Sequence, residues 1–310
     1  MTGRRAKLTR IGLNVTDLAR AQAYYCAALG FTTSEEEEPD PAWVRLLAGE
    51  GARARIVKLR LGGQVLELMA FDPPGAGYPP DSTAADLWFQ HFAIATHDMT
   101  AAYRRLAQYG ATPITHGGPQ RLPPGAGSVG AFKFRDPDGH PLELIHFPPG
   151  SGDPAWQCAS PDPTLGIDHS ALSVADAERS LAFYDRLGLD LRSRQINSGP
   201  EQDRLDGLCA VSVAVIGLSP AGAPTPHVEL LCYHQPRGRR ADPSFPASAI
   251  ADSRLILQVG DLTGLVEVLA AGGATVSPMV ALAAGTRAAL VRDPDGHAIV
   301  LLEDPQDAEA

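Results

Sequence analysis

Four copies of one short phrase divide this chain of 310 residues and restrict what it can fold into. They read Arg-Ile-Gly-Leu-Asn-Val-Thr-Asp at 10–17, His-Phe-Ala-Ile-Ala-Thr-His-Asp at 91–98, His-Ser-Ala-Leu-Ser-Val-Ala-Asp at 169–176 and Arg-Leu-Ile-Leu-Gln-Val-Gly-Asp at 254–261. Each begins as an alternating apolar strand and ends on an Asp placed seven residues after a His or an Arg. That Asp stands where a helix N-cap is wanted. A helix-like stretch follows and stops at glycine: Gly30, Gly110, Gly188 and the Gly272-Gly273 pair.

The first copy sets the plan of a module. Leu18 to Leu29 carries apolar residues at helical spacing, and strands are predicted at Trp43 to Leu47, Arg55 to Leu61 and Gln64 to Phe71. Gly62-Gly63 reads as the tight turn of the last hairpin. The unit is therefore strand, helix, then a three-stranded antiparallel meander. Modules are expected at about 8–72, 87–147, 165–234 and 253–303. Pro- and Gly-rich connectors separate them, and the middle one is the expected domain boundary. This gives one domain at 1–148, a linker at 149–164, a second domain at 165–304 and a tail at 305–310. Modules two and four also share Arg-Asp-Pro-Asp-Gly-His, at 135–140 and 292–297, a turn signal that predicts exposed histidines at His140 and His297.

Composition narrows the function. A net charge of −10 without a basic stripe argues against nucleic-acid binding. No apolar run approaches a membrane span, and the basic residues before Lys7 have no apolar segment behind them, so neither a membrane anchor nor a signal peptide is expected. Cys26, Cys158, Cys209 and Cys232 show no metal or disulfide spacing and are expected as free, buried or half-buried thiols in a reducing cytoplasm. The repeats supply the positive signal. Two start with His and two with Arg, and imidazole can ligate a metal while guanidinium stays protonated.

These phrases, the Tyr24-Tyr25 and Phe183-Tyr184 helix ends before Leu-Gly, and both Arg-Asp-Pro-Asp-Gly-His turns resemble the vicinal oxygen chelate superfamily of glyoxalase I, extradiol dioxygenases and bleomycin-resistance proteins. The resemblance covers nearly the whole chain. It implies an α+β fold of four βαβββ modules, paired into two cup-shaped mixed sheets as tandem glyoxalase-like domains. It also implies one ligand position near the start of the first strand of each module and one on its last strand. Those positions hold Arg10 and Glu67, His91 and Glu143, His169 and Glu229, and Arg254 and Val300.

Module pairing decides the site. Pairing one with two and three with four leaves both sites incomplete. Pairing two with three and one with four collects His91, Glu143, His169 and Glu229 in one cup and Arg10, Glu67, Arg254 and Val300 in the other. The second arrangement is favoured because it groups the histidines, and it resembles four-module glyoxalase I proteins in which one site has degenerated. An ion pair of Glu67 with Arg10 or Arg254 is expected in place of a metal in the second cup.

A set of two His and two Glu suits one divalent ion, Ni, Co, Fe, Mn or Zn, with two positions open for vicinal oxygens of a substrate. The function this implies is a metal-dependent lyase or isomerase working through an enediolate on a small molecule, with Glu143 or Glu229 as the base. The alternatives are an Fe(II) extradiol-type dioxygenase and a metal-free small-molecule binding or resistance protein. The chain is expected as a monomer or homodimer. Three weaker signals remain. His227 shares a strand face with Glu229, which makes it a candidate donor to the ligands from behind, though a solvent-facing strand end is expected for it. The Gly/Pro-rich segment from His116 to Gly130 is expected over the cup. Arg237, Arg239 and Arg240 are expected in a solvated loop.

Overall fold

The structure is a computed structural model describing residues 6–219, 225–240, 246–283 and 285–303. The tail expected at 305–310 and residues 1–5 lie outside the described residues. Module one contains β1 (Lys7–Asn14), α1 (Leu18–Leu29), β2 (Thr32–Glu37), α2 (Pro41–Ala48), β3 (Arg53–Leu61) and β4 (Gln64–Asp72). Module two contains β5 (Gln90–Thr96), α3 (Met99–Ala107), the short β6 (Thr112–Pro113) and β7 (Gln120–Arg121), β8 (Gly130–Arg135) and β9 (Pro141–His146). Module three contains β10 (Thr164–Ser173), α4 (Ala177–Arg186), β11 (Asp190–Ser198), α5 (Pro200–Asp206), β12 (Ser212–Ser219) and β13 (His227–Gln235). Module four contains β14 (Arg254–Val259), α6 (Leu262–Ala271), the short β15 (Thr275–Val276) and β16 (Val280–Ala281), β17 (Arg287–Arg292) and β18 (Ala298–Glu303).

The repeated Asp caps the main helix of every module. The carboxylates of Asp17, Asp98, Asp176 and Asp261 accept from the backbone N–H three residues on, at 2.8–3.0 Å. Gly30 closes α1 with φ 77°, a left-handed cap that L side chains rarely adopt. One predicted strand is a helix instead. Trp43–Leu47 belongs to α2, because Asp40 caps Ala42 N at 2.8 Å, Pro41 occupies the first turn, and Trp43, Val44 and Leu47 bury one side.

Strands join across the two halves of the chain. One sheet runs β15-β17-β18-β14-β1-β4-β3-β2 and unites modules four and one. The other runs β11-β12-β13-β10-β5-β9-β8-β6 and unites modules three and two. β1 and β14 meet antiparallel at the centre of the first sheet, as β5 and β10 do in the second. Both sheets are mixed and open, with an α+β arrangement in tandem.

The outer faces of both sheets and the helices form one apolar core drawn from all four modules. In it α1 packs on α3 and α4 on α6. The two Asp-Pro-Asp-Gly turns fasten the sheets together. Asp136 accepts from Tyr25 Oη at 2.9 Å, and Asp293 from Tyr184 Oη at 3.1 Å. Asp138 takes the Thr16 N–H, and Asp295 the Ala175 N–H. His140 and His297 are therefore buried, contrary to the expectation of exposed turns. His140 Nδ1 lies 2.8 Å from Asp136, and His297 Nε2 lies 2.9 Å from the Ser173 carbonyl. Docking onto a neighbouring module, which local turn chemistry does not encode, covers them.

Candidate metal centre

Strand alternation turns Phe92 and Ile94 to the apolar core and His91, Ala93 and Ala95 to the hollow of the second sheet. Register then sets the geometry across four adjacent strands. Ala171 of β10 pairs with His91 on one side and Glu229 on the other. Ala93 of β5 pairs with His169 on one side and Glu143 on the other. The four candidates thus form a diamond, with an alanine beside each histidine leaving room above the sheet. All four line one cavity of about 540 Å³.

His91, Glu143 and His169 each bring a ligand atom to within 4.8 Å of the others. His91 Nε2 lies 2.8 Å from Glu143 Oε2. The contact is poorly aligned, so neither ring nitrogen of this buried imidazole makes a well-directed hydrogen bond. A buried imidazole with one nitrogen unpartnered and the other in a poorly aligned contact with a carboxylate, facing a second imidazole, fits a divalent cation. Glu229 is the fourth and looser member, with Oε2 3.5 Å from His169 Nε2.

Electrostatics separate the two histidines. Burial holds the His91 pKa below its ordinary value against the pull of Glu143. Burial also opposes charge on His169, but Glu229 and Asp168 outweigh it and push the pKa up to about 9. In the same way burial raises Glu229 while His169 and His227 bring it down to about 2. Glu143 stays below the carboxylate range despite burial, held by His91 and by the Lys133 charge.

Asp168 and Lys133 belong to the site without having been marked by the sequence, and two weaker signals prove to line it. Asp168 is buried and accepts from Trp156 Nε1 at 2.6 Å, with its other oxygen 2.9 Å from His169 Nδ1. An irregularity in β10 between Ile167 and His169 lets consecutive side chains reach the same side of the sheet, which strict alternation forbids. Lys133 stands opposite Glu143 in the β8–β9 register and pairs with Asp206 at 2.7 Å. A Lys between Phe132 and Phe134 was the signal that could have marked it. His227, expected at a solvent-facing strand end, lines the cavity half-buried, beside His169 in register, with Nε2 3.6 Å from Glu229 Oε1. The pairing with β10 draws that end of β13 under the cavity wall. From the segment 116–130, Leu122, Ala126 and Val129 line the same cavity. Arg239, by contrast, is tied to Asp86 at 2.7 Å and lies over the Trp88 ring.

The first sheet shows the same diamond with other chemistry. Glu67 receives Arg254 Nη2 at 2.9 Å and Arg10 Nε at 2.9 Å, so both anticipated ion pairs form. Asn14 Oδ1 takes a further Arg254 proton at 2.7 Å. Trp43, Met69, Phe71, Ile256 and Val300 fill the surrounding hollow. The guanidinium of Arg254 supplies in protein form the positive charge that a cation would bring.

A cup-shaped mixed sheet built twice from paired βαβββ modules, with His and Glu at its centre, defines the class. The chain belongs to the Glyoxalase/Bleomycin resistance protein/Dioxygenase superfamily, whose sequence model matches residues 7–144 and 166–301. Enzymes of this superfamily act on small-molecule substrates and bind a divalent metal. Among curated proteins the chain is similar to lactoylglutathione lyase GLX1 of Arabidopsis thaliana, 34% identical over 104 residues, or 33% of this chain. That match spans only 31% of the plant protein's length. Uncharacterized protein YaeR of Escherichia coli (strain K12) is 33% identical over 138 residues, covering 43% of this chain and 91% of that protein. Among solved structures, glyoxalase I from Zea mays superposes with a TM-score of 0.65 at 19% identity, over 96% of this chain and 92% of that one. A putative dioxygenase from Bacillus subtilis subsp. subtilis str. 168 gives 0.59 at 15% identity, over 98% and 87%. These structural likenesses concern the fold. Among the described residues no helix is long and apolar enough to cross a membrane, and the four cysteines are unpaired, with Cys158 and Cys209 exposed rather than buried or half-buried as expected.

Proposed function

We propose that the chain is a metal-dependent lyase or isomerase of the glyoxalase I type, with His91, Glu143, His169 and Glu229 holding one divalent ion. The observation that carries this reading is the buried His91 ring, both nitrogens without a well-directed hydrogen bond, facing His169 and Glu143. A divalent ion bound there supplies Lewis-acid stabilisation to two neighbouring oxygens of a small substrate.

The chain's own groups divide the remaining work. Asp168 accepts the Nδ1 proton of His169 and so directs Nε2 toward the centre. Glu143 is enclosed between His91 and Lys133 and stays an anionic ligand. Glu229 is the more accessible carboxylate, its side chain 22% exposed against 8% for Glu143, and its histidine contacts are long. It is the group free to take a proton at a carboxylate oxygen from the carbon beside the substrate carbonyl and to return it to the neighbouring carbon. The segment carrying Leu122, Ala126 and Val129 covers the cavity with apolar surface and limits water. One chain completes both cups, so a monomer suffices, and unpaired cysteines suit a reducing cytoplasm.

Metal analysis of the purified protein tests this reading. About one ion per chain is expected, lost in both His91→Ala and His169→Ala. Undiminished metal in the two variants removes the site.

One observation favours a second reading. His91, His169 and Glu143 alone form a two-histidine, one-carboxylate set, with Glu229 outside the 4.8 Å group. That set suits an Fe(II) dioxygenase. Oxygen uptake by the iron-loaded protein with a catechol would favour it, and proton exchange next to a carbonyl without oxygen uptake would favour the lyase.

A further inference from the structure

The cavity has a polar wall that the proposed chemistry does not use. Asp206, buried at the end of α5, accepts from Lys133 Nζ at 2.7 Å, Gln202 Nε2 at 2.8 Å and Tyr233 Oη at 3.0 Å. This fixes the Gln202 amide, since its nitrogen must face the carboxylate, and Oε1 is turned elsewhere as an acceptor. Gln202 is 3% exposed, and its Oε1 has no donor. Asn197, on the adjoining edge strand β11, is 8% exposed, and its Oδ1 is also without a donor. Both residues line the 540 Å³ cavity, and both also line a smaller crevice of about 160 Å³ that runs past Pro123 and Ile196. They stand where the cavity meets that crevice. Two buried acceptors left without donors in a cavity wall are costly unless something that enters the cavity supplies protons.

We propose that Asn197 Oδ1 and Gln202 Oε1 form a subsite for a hydroxyl or amide N–H on the substrate, remote from its vicinal oxygens. The proposal rests on the reading of this cavity as the substrate site. It makes the substrate a small molecule with a hydrogen-bonding tail rather than a hydrocarbon one. The Asp206 network holds the subsite rigid, and the apolar Leu122 and Ala126 bound the remaining space.

Hydroxamates test this, because they present two vicinal oxygens and accept matched tails. Calorimetry on the full chain, zinc-loaded and after chelation, would compare 4-ethylbenzohydroxamate with 4-(hydroxymethyl)benzohydroxamate. It would also compare the shorter butanohydroxamate with 3-hydroxypropanohydroxamate. In at least one pair the hydroxyl compound should bind roughly fivefold to tenfold tighter, the preference expected when an analogue leaves buried acceptors unpaired. Asn197→Leu and Gln202→Leu should each reduce it. In the unmutated protein the side-chain carbonyl 13C signals of Asn197 and Gln202 should shift with the hydroxyl member and not with its alkyl twin, a readout that survives if a variant fails to fold. Equal affinities in both pairs, a preference unchanged in both variants, or unmoved carbonyl signals would overturn the subsite. Zinc-independent binding of all four compounds would count against the metal reading alone, because the tail preference is measured within each pair.

Discussion

Asp168 and Glu67 are both buried carboxylates, one beside a candidate ligand and one in place of a metal. Asp168 holds His169 through Nδ1 and is itself held by Trp156 from the linker between the chain halves. Removing such an outer partner commonly weakens a metal site about 10–100-fold. Asp168→Ala should therefore raise the zinc Kd by about that factor, measured by chelator competition. In metal-free protein the His169 ring 15N shifts should report loss of the fixed Nδ1 proton. A zinc Kd within twofold of the parent would show that Asp168 only fills space. For Glu67, burial alone would raise the pKa, but Arg254 and Arg10 hold it below the usual carboxylate range. A group with a depressed folded pKa stabilises the fold above its unfolded value, about 4.3 for Glu, and loses that contribution as pH falls through the folded value. Glu67→Gln strands a buried guanidinium and should cost ~3–5 kcal/mol at pH 7. The difference from the parent should narrow below about pH 4. Urea unfolding at pH 7 and pH 3.5 checks this, and an unchanged difference would dismiss the ion pair as its source.

Strands carried most of what the sequence could convey. Period-two alternation places His91 with Ala93 and Glu229 with His227 on one face without any tertiary knowledge. Alternation fails at the irregularity before His169, where pairing with β5 rather than local pattern brings Asp168 to the site. It fails again at Trp43–Leu47, five residues short enough to read either way until the Asp40 cap and Pro41 are weighed. The burial of His140 and His297 was not legible at all, because it depends on which module receives each turn. Register also explains Gly12, which pairs with Arg254 in the first sheet where Ala93 pairs with His169 in the second. A Cβ on Gly12 would lie 2.5 Å from Arg254 Nε. Gly12→Ala should therefore displace the guanidinium and destabilise the chain by ~1–3 kcal/mol, the usual range for overpacking. Zinc affinity should stay the same. A stability loss under ~0.5 kcal/mol, as for an ordinary surface change, would show that Arg254 moves aside freely.

At the scale of the whole molecule, each sheet takes one module from each half, and all four modules share one core between the sheets. The cups are therefore not independent. The centre of the first cup is occupied by the Arg254–Glu67 ion pair and walled by Trp43, Met69, Ile256 and Val300, while the centre of the second keeps His91, His169, Glu143 and Glu229 open to a cavity. The apolar cluster shared by all four modules makes the stability of one sheet depend on the other. Thermal unfolding should accordingly follow one transition rather than two, whether followed by tryptophan emission or by calorimetry. Zinc at about a hundred times its Kd should move that single transition upward by the equivalent of ~2.7 kcal/mol. Arg254→Ala should lower the same transition without altering the zinc Kd, whereas His91→Ala should abolish the zinc-induced rise. Two resolved transitions, with only one responding to zinc, would mean that the cups unfold separately and that the common core does not couple them.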